Sequence, residues 1–329
     1  MRIISGIQPS GKLHIGNYLG AIKNWVKLQD EPKNDCFFFV ADYHSITEDY
    51  NPKQKSKEIF DLVTDLLALG LNPKKSVIFQ QSQIPFHTEL AWIFNTLVKI
   101  PELERMTQYK DKALVQKQNV NVGLFNYPVL MAADILAYKA EAVPVGEDQI
   151  QHLELTRGIA RRFNDKFGQT FPEPKSILTE TQKIMSLTDP IKKMSKSGGD
   201  KSYLALADSP KIIKEKIKSA VSDSGGQGKN AGGDNLLSIF NALAETKEEK
   251  TEYANYKKEH QAGKLKYSEF KPRLTKLIIN YFADYHKKRT ELSKNPEYIN
   301  KVLKDGTDKA SAIAEKTLKE VKEKIGLII

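Results

Sequence analysis

Hydrophobic and polar positions alternate between two rhythms along the first half of the chain. Residues 3 to 7 and 36 to 41 are short apolar runs of strand length, and Val77 to Gln80 and Ala142 to Val145 read the same way. Between them the apolar spacing becomes helical. Asn51-Pro52 offers an N-cap with proline at the first helical position, and Ile59, Leu62, Val63, Leu66 and Leu67 follow before Gly70. This predicts an amphipathic helix of about five turns. Strands and helices alternating at this spacing predict a parallel sheet with crossover helices, an α/β doubly wound domain of Rossmann-like type.

From about Ser209 the pattern changes. Lysine-rich helical stretches carry Ile212, Ile213 and Ile217, then Leu236 to Leu243, then Leu274 to Tyr285, so a second, mostly α-helical domain is expected. Ser222 to Gly233 has no packing pattern and reads as a flexible, mobile loop. A last helix over about 309 to 325 places Ala312, Ile313, Leu318, Val321 and Ile325 at mixed three and four spacing and must pack on something. The expected organisation is therefore 1–200 as the α/β domain, 201–308 as the helical domain, and 309–329 as a C-terminal helix packing back on the first.

Length and composition remove several classes. A chain of 329 residues that is 40% hydrophobic and 28% charged can bury a substantial core, so disorder is excluded. The longest charge-free stretch, Gln118 to Ala133, contains three Asn, a Gly and a Pro and is too short for a membrane helix. The N-terminus enters a strand-like run without a basic n-region, an apolar h-region or a transit-type composition, so a cytoplasmic protein is expected. The single cysteine, Cys36, lies in an apolar run and reads as a core thiol.

Charge is distributed unevenly. The first 150 residues hold 16 basic and 17 acidic side chains; the remainder hold 35 and 24, so the whole net charge of +10 resides in the second part. A basic helical half suits docking of a polyanion such as RNA or DNA. Lysines that merely solvate helix faces would give the same count, and charge by itself leaves both readings open.

Two segments carry chemistry. The first strand runs into Gln8-Pro9-Ser10-Gly11-Lys12-Leu13-His14-Ile15-Gly16-Asn17, where a helical pattern begins with Tyr18, Leu19, Ile22 and Trp25. A strand, a glycine-containing turn and a helix start can offer backbone N–H groups to phosphate. The second segment is Lys193-Met194-Ser195-Lys196-Ser197, followed by Gly198-Gly199. Two lysines and two hydroxyls on a loop free to close can neutralise a triphosphate as charge accumulates on its leaving group. Taken separately, each has an ordinary reading as a common turn or a solvated loop. Their order, one opening the α/β domain and the other closing it, changes that.

Pro9 to Asn17 resembles the HIGH signature, and Lys193 to Ser197 the KMSKS signature, of class I aminoacyl-tRNA synthetases. Gly6 to Gly11, Glu102 to Gln108, Met131 to Leu136 and Val145 to Gln149 narrow the resemblance to the bacterial-type tryptophanyl branch, from Met1 to roughly the last helix. The resemblance implies a tryptophan–tRNA ligase. Such an enzyme uses ATP, with Mg²⁺ as cofactor, to make tryptophanyl-adenylate and pyrophosphate, and then transfers tryptophan to the terminal ribose of tRNA(Trp). It implies catalytic roles for His14, Asn17, Lys193 and Lys196, with Lys112 a further candidate. ATP contacts are implied at Gln8, Pro9, Ser10, Gly16, Asn17, at the ribose-binding turn Gly146, Glu147 and Asp148, at Ile184, and at Lys193, Met194, Ser195, Lys196 and Ser197. No protein metal cage is implied. Since the attacking carboxylate is already ionised, the first step needs alignment and charge neutralisation more than a general base.

Asp134 stands among Met131, Ala132, Ala133, Ile135 and Leu136, where a free carboxylate is costly, so it needs a donor. A local backbone donor would serve. In the family, the matching aspartate accepts the indole N–H. The resemblance also implies a tryptophan pocket lined by Met131 and Tyr127, with Gln108, Gln149 and His44 near the ammonium or carboxylate. A buried aspartate serves tyrosyl enzymes too, so Asp134 alone does not separate tryptophan from tyrosine. A tyrosyl-type enzyme and a catalytically silent RNA- or nucleotide-binding paralogue are the alternatives.

The resemblance further implies a homodimer with no membrane association. The apolar side of Phe86 to Val98, with Trp92, Ile93 and Phe94, is open to interface and core readings alike. The 201–308 region would be the tRNA anticodon-binding domain, and candidate RNA contacts are Lys257, Lys258, Lys264, Lys287, Lys288 and Arg289.

Overall fold

The computed structural model describes residues 1–115, 119–178, 184–222 and 230–328. Most of the expected mobile loop, residues 223–229, lies outside them. By contacts the chain forms two compact units, one of residues 1–11, 24–179 and 292–329 and the other of 12–23 and 180–291.

The first unit is built on five parallel strands: β1 (Arg2–Ile7), β2 (Asp35–Val40), β3 (Ser76–Gln80), β4 (Ala142–Val145) and β5 (Lys175–Leu178), in the order β3-β2-β1-β4-β5. The order runs outward in both directions from β1, the doubly wound topology in which ligands bind beyond the carboxyl ends of the strands near the reversal. Residues Cys36 to Val40 of β2 are all buried, as expected of a central strand covered on both faces. Cys36 is thus a core thiol, pushed up to about 11 by burial.

The crossover helices form where the apolar spacing places them. Helix α1 (Pro52–Ala68) starts at Asn51, whose side chain accepts from the Lys53 N–H at 3.0 Å, and stops before Gly70 at φ +111°. Helices α2 (Phe86–Asn95), α3 (Val122–Leu136) and α4 (Ile150–Phe167) pack around a core that includes Phe37, Phe79, Tyr138, Phe163 and Phe171. The C-terminal helix, Pro296–Lys324, begins earlier than its apolar spacing after residue 309 suggests, because Asn295 caps it and Ile299 and Val302 continue its buried face. It packs on β3 and α2.

The second unit contains α5 (Pro210–Ser219), α6 (Ala231–Leu243), α7 (Lys247–Gln261) and α8 (Tyr267–Tyr281). Its core includes Ile213, Ile217, Leu236, Phe240, Leu274 and Ile278, and the rings of Phe240, Tyr256 and Phe270 pack together. Residues 184–200, read from sequence as the end of the α/β domain, pack into this unit. The Asn235 side chain bonds both the N–H (2.8 Å) and the carbonyl (2.9 Å) of Met185, and the Val221 N–H donates to Leu187. Among the described residues, no helix is long and apolar enough to cross a membrane.

Gly306 lets the C-terminal helix approach the sheet. A Cβ there would fall 1.8 Å from the Ile78 carbonyl oxygen, which belongs to backbone and cannot swing aside. Gly306→Ala should therefore destabilise the fold by about 1–3 kcal/mol, seen as a lower Tm in thermal unfolding; an unchanged Tm would show that the helix is not seated this closely.

Candidate active site

In the first unit, α3 carries Tyr127, Met131 and Asp134 at roughly helical repeat, and the first and last are buried while Met131 is half-buried. The Asp134 carboxylate is 1% exposed and accepts from three side chains. His44 Nε2 lies 2.7 Å from Oδ2, His87 Nδ1 2.6 Å from Oδ1, and Gln81 Nε2 2.8 and 2.9 Å from the two oxygens. Burial pushes this carboxyl up, but the hydrogen bonds it accepts from His44 and His87 outweigh it and hold it below the ordinary range. The donor that Asp134 requires thus comes from side chains on three other segments. His44 follows β2, Gln81 follows β3, and His87 lies in the first turn of α2.

Tyr127 sits edge-on to His44 with ring centroids 6.1 Å apart, and its hydroxyl pairs with His152 Nε2 at 2.8 Å. Burial raises the Tyr127 phenol and lowers His152 to about 4, so both are neutral at pH 7. Lys112 lies over the Tyr127 ring at 5.2 Å and is paired with Glu48 at 2.7 Å. His44, Tyr127, Lys112 and Asp134 therefore form one linked group. Gln108 and Gln149 are half-buried, and Gln149 bonds Asp148 at 3.0 Å. Part of the Glu102 to Gln108 segment has a structural explanation: Glu102 binds Arg162 through both oxygens at 2.8 Å, and Thr107 is held by Gln151.

Beyond the carboxyl end of β1, the Pro9 carbonyl accepts from Lys55 at 3.0 Å, and the Ser10 N–H donates to Gln8. Beyond β4, Gly146 to Gln149 forms a tight turn that leads into α4. Glu147 and Asp148 are exposed there. The Asp148 carboxylate folds back over Gly146, where a Cβ would meet it at 2.8 Å and turn that exposed side chain aside.

In the second unit, Leu13 to Ile15 runs antiparallel to Leu204 to Leu206, tied by Ile15 N–H to Leu204 and Leu206 N–H to Leu13, both 2.9 Å. His14 then caps the turn. The Asn17 N–H donates to its Nδ1 at 3.3 Å, while the Asn17 side-chain oxygen accepts from the His14 N–H at 3.0 Å. With Nδ1 accepting, the ring proton resides on Nε2. Burial, then the charges of Lys196 and Lys193, lower His14 to about 4, so it is a neutral donor at pH 7. A Cβ on Gly16 would press on the His14 ring at 3.0 Å and lie 4.0 Å from Ile184. Room for the imidazole is therefore a structural reason for glycine at this position.

The lysine loop is anchored at its apolar residue. Met194 is buried and its N–H donates to the Ile184 carbonyl at 2.9 Å, while Lys193, Ser195 and Ser197 are exposed and Lys196 is half-buried. Ser195 and Ser197 pair at 2.8 Å, and Ser202 donates to the Ser195 carbonyl. Gly199 sits at φ +87°, a turn that favours glycine.

Sequence reasoning missed Gln81, His87 and Tyr138, which joins the group through His87. They stand 53 and 47 residues from Asp134, or four residues along its own helix direction, with no spacing signal to connect them.

A family model described as tRNA synthetases class I (W and Y) matches residues 1–283. The chain belongs to this family of class I tRNA synthetases. It is 45% identical over 333 residues to the tryptophan–tRNA ligase of Clostridium tetani, covering 99% of this chain and 96% of that one, and 45% identical to that of Rickettsia conorii, covering 99% of both. The tryptophanyl-tRNA synthetase of Campylobacter jejuni, solved with ADP and tryptophan, superposes with a TM-score of 0.84 at 36% identity, covering 99% of this chain and 100% of that one. Within the family these likenesses place it on the bacterial-type tryptophanyl branch. A tyrosyl-tRNA synthetase of Archaeoglobus fulgidus, at 20% identity and a TM-score of 0.67, shares the fold.

The environment of His14 generates a pH prediction. An NMR titration should place its midpoint near pH 4 rather than at the ordinary 6.5. Between those values the unfolded chain takes up a proton that the folded chain refuses, so stability falls as pH drops from 6.5 toward 4. His14→Gln should flatten part of that fall in Tm; a His14 midpoint near 6.5 would contradict the assignment.

Proposed function

We propose that this protein is a tryptophan–tRNA ligase that joins tryptophan to ATP as tryptophanyl-adenylate, releases pyrophosphate, and passes the tryptophanyl group to the terminal ribose of tRNA(Trp). The observation that carries the reading is the buried Asp134 carboxylate, an acceptor inside apolar walls that suits a flat apolar side chain with one N–H donor. Four contacts already occupy its lone pairs, so an indole N–H replaces one of them when tryptophan enters. Tyr127 and Met131 supply ring contact, and His44, Gln108 and Gln149 orient the ammonium and carboxylate.

In this reading Gln8, Pro9, Ser10, Gly16 and Ile184 border the adenine and phosphates, and Gly146, Glu147 and Asp148 take the ribose hydroxyls. His14 and Asn17 face the phosphates. A neutral His14 with its proton on Nε2 can donate to a phosphate oxygen without entering proton transfer, which an already ionised nucleophile does not require. Lys193 and Lys196, with Met194, Ser195 and Ser197 shaping the loop, neutralise the departing pyrophosphate, and Lys112 assists once released from Glu48. Mg²⁺ is carried in on the triphosphate, where it neutralises charge.

The helical unit up to residue 291 serves in anticodon binding, with exposed Lys257, Lys258, Lys264, Lys287 and Lys288 and half-buried Arg289 as contacts to the RNA backbone. The first unit carries the tryptophan-binding residues, and the whole C-terminal helix, Pro296–Lys324, braces its sheet. The protein works in the cytoplasm as a homodimer. Trp92, 74% exposed on α2, supports an interface there, whereas Ile93 and Phe94 are buried core residues.

Amino-acid-dependent ATP–pyrophosphate exchange, run with each standard amino acid in turn, tests the reading. Exchange is expected with tryptophan alone; tyrosine instead would overturn the specificity, and no exchange would overturn the activity. Lys196→Ala should slow adenylation by roughly 10²-fold or more, and a full rate in that variant would remove Lys196 from the leaving-group role.

A further inference from the structure

Asp134 accepts hydrogen bonds only while its donors keep their protons facing it, and His87 has two ways to place its proton. His87 is fully buried, walled by the rings of Phe39 and Phe79. One ring nitrogen, Nδ1, lies 2.6 Å from Asp134 Oδ1, and the other, Nε2, lies 2.7 Å from the Tyr138 hydroxyl. If Nε2 carried the proton, the Nδ1 lone pair would confront the carboxylate at 2.6 Å. The contact would then be repulsive, or it would hold only with Asp134 protonated and acting as a donor. With the Tyr138 hydroxyl donating to Nε2, the ring proton is fixed on Nδ1 and donates to Asp134. Tyr138 itself is fully buried, and its hydroxyl needs the acceptor that Nε2 provides.

We infer that Tyr138 and His87 are positioning residues that set the direction of the hydrogen bonds at Asp134, and thereby make the pocket select a side chain that donates a hydrogen bond over an isostere that cannot. The chain of donors runs Tyr138 to His87 to Asp134, and Asp134 ends it as an ionised acceptor facing the amino-acid side chain. A ligand lacking the N–H leaves that acceptor short of the donor it exchanges for, which is the condition under which a polar site rejects an isostere strongly. This inference rests on the reading of Asp134 as the indole acceptor.

The test is pyrophosphate exchange with tryptophan and with β-(3-benzothienyl)alanine, which has nearly the same shape and carries sulfur where indole carries N–H. The wild-type protein should favour tryptophan in kcat/KM by roughly 10²-fold or more. Tyr138→Phe, which removes only the hydroxyl, should narrow that ratio by about tenfold, mainly through the KM for tryptophan, with the benzothienyl substrate little changed. His87→Ala should narrow it further, and His87→Asn, which keeps an N–H donor near the place of Nδ1, should restore most of it. In Tyr138→Phe the acid limb of the tryptophan profile should also move to higher pH, because a less supported carboxylate takes up its proton sooner. Equal falls for both substrates, with the ratio unchanged, would show that Tyr138 and His87 only support the fold and would overturn the inference. A wild-type protein indifferent to the missing N–H would overturn the reading of Asp134 itself, and the inference with it.

Discussion

A buried negative charge organises the first unit. Asp134 lies in an apolar stretch of α3 at 1% exposure, where an unpaired carboxylate would cost several kcal/mol. Its donors come from the segments after β2 and β3 and from α2. The strand order β3-β2-β1 sets β2 and β3 side by side, so their following segments reach one place. The sheet and the Asp134 cluster are thus one arrangement: a slip of β3 against β2 would remove donors from Asp134 as well as strand hydrogen bonds. Such a group contributes definition more than stability, because an apolar replacement of the whole cluster could pack as well, while removal of one partner strands the rest.

The second unit follows the opposite electrostatic logic. His14 is surrounded by the positive charges of Lys193 and Lys196 and by apolar burial, and both keep it neutral. It therefore stands beside the two lysines without adding a third positive charge to repel them. Its cap on Asn17 fixes which nitrogen donates. Lys193 is exposed and Lys196 half-buried while the buried Met194 pins the loop backbone to Ile184.

Much of this was legible in the sequence. Alternation of strand and helix gave the α/β class, Asn51-Pro52 gave the start of α1, and the two signatures gave the family. The need of Asp134 for a partner was legible too, because burial of a carboxylate follows from its neighbours. The partners were not. Gln81, His87 and His44 are 53, 47 and 90 residues away, and only the parallel register of β2 on β3 brings them near. The packing of residues 184–200 with the helical unit was hidden for a similar reason: it depends on Asn235, whose buried position nothing in the sequence distinguishes from the neighbouring Asp234, Ser238 and Asn241 of the same helix. In Trp92-Ile93-Phe94 the sequence shows three apolar residues; the rotation of about 100° per helical residue turns the Trp92 ring to the surface and the next two side chains to the core.

The central claim is that Asp134 is a buried, ionised acceptor. The most direct measurement is ¹³C NMR of the protein carrying aspartate labelled at the side-chain carboxyl, with Asp134→Asn identifying the resonance, titrated from pH 8 downward. The account predicts a carboxylate signal that stays constant until below the ordinary value of 3.8. A signal that titrates in the neutral range would mean a protonated, donating Asp134, and would contradict the account of the pocket.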